Sequence, residues 1–222
     1  MEKLLKINLS SQKGLFITFE GGEGVGKTTQ INLLKIFFEE QNLEVITTRE
    51  PGGTEEGENI RKFLVSGKAN SWDSYSEALI FNAIRREHIN KVIKPAIENG
   101  KIVLCDRFID STIVYQGVAG NVNQSNLLQL HKEYCYNLYP AVTFFLNLNP
   151  LIGLERANQR LNQNDNRFES LGINYHKMVY DGFVNLQKKY PKRIINIEAG
   201  LNKSLISKKI NSFIYKLAKI NE

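Results

Sequence analysis

Only two cysteines, three histidines, one tryptophan and five prolines occur among the 222 residues. Cys105 and Cys135 are far apart and share no CxxC spacing, so neither a disulfide framework nor a zinc site is indicated; both are expected as small buried apolar residues. No apolar run approaches the length of a membrane span, and the opening MEKLLKINLSSQKG is too interrupted for a signal peptide. A soluble, cytoplasmic chain without membrane contact is expected. No repeat and no Pro/Gly-rich linker marks a second domain, and this length at 42% hydrophobic residues suits one core. Residues 1–222 are therefore read as one domain. The net charge of +6 is spread along the chain without a nucleic-acid motif. It suits a small anionic ligand better than nucleic acid.

Glycine, by contrast, is concentrated. The stretch EGGEGVGKTTQ, Glu20 to Gln30, sits between the apolar, β-forming LFITF and TQINLLKIFFEE, whose apolar residues fall at helical spacing. The cluster thus joins a strand to a helix. Gly21-x-x-x-x-Gly26-Lys27-Thr28 has full phosphate-loop spacing, in which backbone N–H groups and the helix N-terminus surround phosphate oxygens. Gly21, Gly22, Glu23, Gly24, Val25, Gly26, Lys27, Thr28 and Thr29 form this candidate ATP site. Lys27 would reach the β- and γ-phosphates, and the Thr28 hydroxyl would be offered to Mg²⁺.

Further along, LEVITTRE, KIVLCDRF, AVTFFLNL and RIINIE read as strands between helical stretches. Strand and helix in alternation imply an α/β fold, a parallel sheet flanked by helices on both faces, with ligands at the carboxyl ends of the strands. IVLCDRF delivers Asp106 to a strand end, where a carboxylate can hold the Mg²⁺ hydration shell, and sets Arg107 beside it to face phosphate. Arg49 leaves the second strand before a Pro-Gly-Gly turn. Phe81 and Arg85 lie four apart on a helix and share a face, an arrangement that suits a core aromatic with a surface charge or, equally, a planar base. RANQRLNQNDNRFES, Arg156 to Ser170, is the one compositional break; it reads as a solvated loop or as an arginine-bearing lid, approximately residues 153–170.

The motifs GGEGVGKTTQ, TREPGGT, FNAIRREH, VIKPAIENG, CDRFIDSTIVYQG and GLERANQR, taken in this order, resemble the thymidylate kinase family over nearly the whole chain. The resemblance implies a P-loop nucleoside-monophosphate-kinase fold with a short lid. It implies transfer of the γ-phosphoryl group of ATP to dTMP with Mg²⁺, giving dTDP on the way to dTTP. Lys27 and the loop amides then hold ATP, and Thr28 and Asp106 organise the metal. Arg49 and Arg107 correspond to contacts with the dTMP phosphate, Phe81 to the residue stacked on thymine, and Arg85 to the one bonding the base. Thr112 and Gln116 match positions lining thymine and deoxyribose, Tyr115 the aromatic beneath the sugar, and Glu23 the carboxylate near the 3′-hydroxyl.

Gly24 and Val25 stand where some members carry a phosphate-loop arginine. The resemblance is then to the bacterial subtype with lid arginines, and the catalytic cation is Arg160 or Arg167, with Arg156 a candidate to pack on adenine. The resemblance also implies a homodimer through helices facing away from the cleft, with the apolar residues of the helix containing Ala78 to Ile93 as candidates. A regulatory P-loop GTPase is the rival class, but the chain has no Asn-Lys-x-Asp guanine-reading motif. A nucleic-acid-dependent ATPase would normally need a second core or a recognisable nucleic-acid module.

Overall fold

The apolar runs do form the sheet. The computed structural model describes residues 14–65, 71–159, 167–168 and 170–220. Five strands, β1 (Leu15–Glu20), β2 (Val45–Arg49), β3 (Ile102–Asp106), β4 (Val142–Asn147) and β5 (Ile194–Glu198), pair in parallel in the order β2-β3-β1-β4-β5. Central β1 is buried along its length because both its faces are covered, which is why its sequence runs apolar instead of alternating.

Leu15, Ile17 and Phe19 pack with Ile31, Leu34, Phe37 and Phe38 of helix α1 (Lys27–Glu39). The same cluster takes in Ile206, Ile210 and Ile214 of the closing helix, α9 (Lys203–Ile220). On the opposite face Phe16 meets Phe108 edge to face, ring centroids 5.0 Å apart, and joins Val179, Phe183 and Leu186 of α8 (Ile173–Lys189).

Between β2 and β3 run α2 (Glu55–Val65) and α3 (Ser74–His88). The latter is capped by the Asp73 carboxylate, which accepts from the N–H groups of Tyr75 and Ser76. It continues through a wide π-type turn, Ile89–Ile93, into the short α4 (Lys94–Glu98). After β3 comes α5 (Ile109–Thr112) with a second π-type stretch, Ile113–Ala119, then α6 (Gln124–Tyr134). Helix α7 (Pro150–Asn158) follows β4 with Asn149 as its cap and proline in its first turn. Cys105 and Cys135 are buried free thiols. No helix among the described residues is long and apolar enough to cross a membrane.

Register fixes what the strands present at their carboxyl edge. Asp106 lies opposite Phe19 of β1 on one side and Arg49 of β2 on the other. The loop after β1 therefore opens directly beside the Asp106-Arg107 turn.

Candidate active site

That loop closes onto α1 through glycines that only glycine can be. Gly26 enters the helix at φ 96° and Gly24 sits at φ 66°. A Cβ on Gly24 would run into the Gly153 carbonyl of α7, and one on Gly153 into the Glu23 carbonyl, so the loop and the start of the expected lid touch backbone to backbone. Buried Lys27 Nζ donates to the carbonyls of Gly21 (3.3 Å) and Gly22 (2.9 Å). Burial and the neighbouring Arg107 push its pKa down, against the pull of Asp106, Glu23 and Glu20. The exposed Thr28 hydroxyl donates to Asp106 Oδ2 at 3.2 Å. These two oxygen donors suit a hard cation such as Mg²⁺. Among the described residues no group of three or more His, Cys, Asp or Glu could form a metal cage.

A cleft of about 880 Å³ runs from this loop past Thr28, Arg49, Glu58 and Asp106. A smaller cavity of about 100 Å³ lies beyond it, lined by Phe81, Arg85, Phe108, Thr112, Tyr115 and Gln116 among others. Glu23, Glu50, Arg61 and Arg107 line both, and so mark the junction.

Arg107 is the pivot of that junction. It stands at φ 69°, a strained region for a residue with a side chain. The turn is clamped by Glu20, whose Oε1 accepts from the N–H groups of Phe108 (2.8 Å) and Ser111 (3.2 Å), while Oε2 accepts from the Ser111 hydroxyl at 2.6 Å. Burial, with Asp110 nearby, raises the Glu20 pKa to about 7, against Arg107 and these hydrogen bonds. Arg107 Nη2 donates to Glu23 Oε1 at 2.7 Å, Nη1 to the Gly21 carbonyl at 2.9 Å, and the guanidinium lies 5.0 Å over the Tyr115 ring. Tyr115 Oη donates to the same Glu23 oxygen at 2.9 Å. Burial works to raise the Glu23 pKa, but Arg107, Lys27 and the Tyr115 hydroxyl win and bring it down to about 2.

Inside the smaller cavity Arg85 is 2% exposed. Its Nε donates to Glu50 Oε2 at 2.7 Å and its Nη2 to the Thr112 hydroxyl at 2.8 Å, while Nη1 has no hydrogen-bond partner among the described residues. Glu50 is held in turn by His88 Nδ1 at 3.1 Å. Burial opposes charge on Glu50, yet Arg85 and His88 keep its carboxyl below the ordinary range. Phe81 of the same helix face forms a wall with Leu64 and Ile84.

Other expected residues sit elsewhere. Arg49 is forked onto Glu58 (3.1 and 2.6 Å) at the rim of the large cleft, outside the smaller cavity. Arg156 on α7 reaches the Ala199 carbonyl after β5 at 3.4 Å. Arg167 is buried: it pairs with Glu77 and donates to the Leu64 carbonyl at 2.8 Å. Arg160, with the rest of 160–166 and residue 169 of the expected lid, lies outside the described residues. The helix around Ala78 to Ile93 divides between core and surface. Ala78, Phe81, Ile84, Ile89 and Ile93 are buried within the protomer, because this helix is packed on by α2, α6 and the segment after α5. Among the apolar residues that do face outward are Leu79 and Tyr75 of α3 and Ile60 and Phe63 of α2.

Glu50, Arg61, Glu77 and Ser111 are not singled out in the sequence, though Glu50 stands inside TREPGGT and Ser111 inside CDRFIDSTIVYQG. Glu50 and Glu77 find their partners in remote parts of the chain, so spacing holds no sign of them.

A parallel sheet in this order, with a lysine-bearing glycine loop facing a strand-end Asp-Arg and a second cavity alongside, defines a P-loop kinase. Residues 19–210 match the family model described as Thymidylate kinase, and the chain belongs to that family. It is 42% identical over 209 residues to a thymidylate kinase of Protochlamydia amoebophila, covering 91% of this chain and 92% of the relative. It is also 42% identical over 206 residues to one of Bartonella quintana, covering 92% and 96%. The crystal structure of thymidylate kinase from Ehrlichia chaffeensis superimposes with a TM-score of 0.72 at 37% identity, covering 90% of this chain and 98% of that one.

Proposed function

We propose that this chain, acting as one domain in the cytoplasm, phosphorylates dTMP to dTDP with ATP and Mg²⁺. The observation that carries the reading is Arg85. A guanidinium with one buried N–H group unpartnered, beside an aromatic wall in a cavity opening onto the phosphate loop, fits a base carbonyl. ATP takes the large cleft with its phosphates on the loop amides and Lys27. The acceptor base takes the smaller cavity, and its phosphate reaches the junction at Arg107. Thr28 and Asp106 would hold Mg²⁺, which when bound offsets charge on the transferring phosphate. The acceptor is already an oxyanion, so no general base is required; alignment and charge neutralisation do the work. A coupled assay of ATP with a panel of nucleoside monophosphates checks this. Strong turnover of dTMP is expected, and efficient turnover of a purine monophosphate in preference to dTMP would overturn it.

Within this reading the transition-state cation falls to Arg160, since Arg167 is committed to Glu77. Arg160→Ala should lower kcat much more than it raises the KM for ATP. Arg167→Ala should instead show first as lost stability, of the ~3 to 5 kcal/mol typical when one partner of a buried ion pair is removed. A stable Arg167 variant with crippled kcat and a near-normal Arg160 variant would reverse the two roles.

The homodimer is proposed through Ile60, Phe63, Tyr75 and Leu79, because adjoining outward apolar residues of this size usually mark a contact surface. Phe63, at 72% exposure, is the sharpest probe. Phe63→Asp should convert a dimer into a monomer on sizing chromatography at micromolar concentration, and a native monomer under those conditions would remove the proposal.

A further inference from the structure

The smaller cavity also contains an amide whose direction is imposed from behind. Gln116 is 2% exposed and lines the cavity. Its Nε2 donates to Glu77 Oε2 at 3.0 Å in the interior. The other oxygen of Glu77 accepts from Arg167 Nη2. An amide can be turned end for end at little cost unless a neighbour distinguishes nitrogen from oxygen. A carboxylate makes that distinction, because when ionised it only accepts. Paired with Arg167, Glu77 keeps the NH₂ end of Gln116 against itself, and the carbonyl oxygen becomes the end offered elsewhere.

Arg85 is fixed by the same kind of logic. Its Nε is taken by Glu50 and its Nη2 by Thr112, which leaves Nη1 as a donor. Both residues line the cavity, and what they have left for a base is one donor, of Arg85, and one acceptor, of Gln116. A pyrimidine carrying a 4-carbonyl beside N3–H offers the matching acceptor and donor. A pyrimidine carrying a 4-amino group beside an unprotonated N3 offers the reverse. Reversal matters because it would leave buried polar groups unpaired, a large penalty compared with the small gain from each correct bond.

We propose that Glu77, held by Arg167, is a specificity-determining positioning residue: it locks the Gln116 amide so that the cavity accepts 4-oxo and rejects 4-amino pyrimidine nucleotides. The proposal rests on the functional reading above. It also gives the expected lid arginine a use, since Arg167 reaches back from that segment to hold the element that reads the base.

The test compares kcat/KM for dTMP with that for 5-methyl-dCMP, which keeps the methyl group and the sugar but reverses the 4 and N3 positions. The native enzyme, Glu77→Gln, and Glu77→Gln/Arg167→Met would be measured with ATP. Glutamine at 77 can donate or accept, so the Gln116 amide is freed to turn. The double variant leaves no buried cation unpaired, and so protects the test if the single variant does not fold. The ratio of the two kcat/KM values is expected to fall tenfold or more in both variants, through loss with dTMP and gain with 5-methyl-dCMP. In a Gln116→Met background, Glu77→Gln should not change the ratio further. A purely structural role would slow both substrates alike and leave the ratio unchanged, which would overturn the proposal while dTMP turnover by the native enzyme still upheld the functional reading. If the native enzyme does not use dTMP, the functional reading itself fails.

Discussion

Lys27→Ala is expected to cut kcat by at least ~10² to 10³-fold, the cost of removing one preorganised group that meets charge developing in the transition state. The fold should survive. Among the described residues the ammonium group's hydrogen bonds go to the carbonyls of Gly21 and Gly22 in its own loop, so its loss breaks no hydrogen bond to another element. Those two bonds also show why it is poised. They curl the lysine back over the space the loop encloses, and phosphate oxygens arriving there would replace neutral carbonyl partners with charged ones. Burial and Arg107 already depress its pKa, so an incoming polyanion favours the charged form that the site itself penalises. Lys27→Arg should rescue little, because a planar fork cannot occupy the space of a compact ammonium. Melting temperature and steady-state kinetics measured on the same preparation check the claim. Near-normal kcat in a folded Lys27→Ala protein would sink the assignment of the loop.

How far the sequence disclosed this site depends on whether a feature is local. The phosphate loop was legible because strand, glycines, lysine and helix are contiguous. The strands LFITF and IVLCD were legible because burial on both faces demands an unbroken apolar run. The positive φ of Arg107 was not, since a non-glycine residue takes that conformation only when something distant enforces it, here the carboxylate of Glu20. Arg85 could be placed on a helix face by spacing, but nothing local said that Glu50 and Thr112 would occupy two of its nitrogens and leave the third open. The outward apolar face could be narrowed only to a helix, because α3 meets neighbours on several sides: Ala78, Phe81 and Ile84 are core while Tyr75 and Leu79 face outward. The π-type turns at Ile89–Ile93 and Ile113–Ala119 left no trace in spacing either.

The second large effect belongs to Arg107, and it should appear both in catalysis and in the pH dependence of stability. Arg107 Nη1 and Nη2 now hold the Gly21 carbonyl and Glu23 at the junction of the two cavities, where the acceptor phosphate must lie in order to attack. Two charge-assisted bonds to that phosphate, at roughly 1.5 to 3 kcal/mol each, put the loss in kcat/KM for dTMP in Arg107→Gln at ~10² to 10⁴-fold. The same substitution strips Glu23 of the strongest influence that keeps it ionised. In the native protein its pKa is depressed from 4.5 to about 2, so it contributes stability that is fully present above pH 4.5 and is lost as pH falls through about 2. That contribution is at most roughly 3.5 kcal/mol, since a tenfold change in proton affinity is worth about 1.4 kcal/mol. Without Arg107 the upward push of burial is opposed only by Lys27, Tyr115 and His176, the pKa rises, and the contribution shrinks. The stability gap between native and Arg107→Gln proteins should therefore widen as pH is raised from 2 to 5, and widen again from about pH 7 upward, where Glu20, no longer held down by Arg107, costs the variant more to ionise. Arg107→Lys separates the two roles, because it restores the charge near Glu23 without the fork. It should recover most of the pH dependence and little of kcat/KM. An Arg107→Gln protein with native kcat/KM and a parallel stability profile would show that the residue serves neither the phosphate nor Glu23.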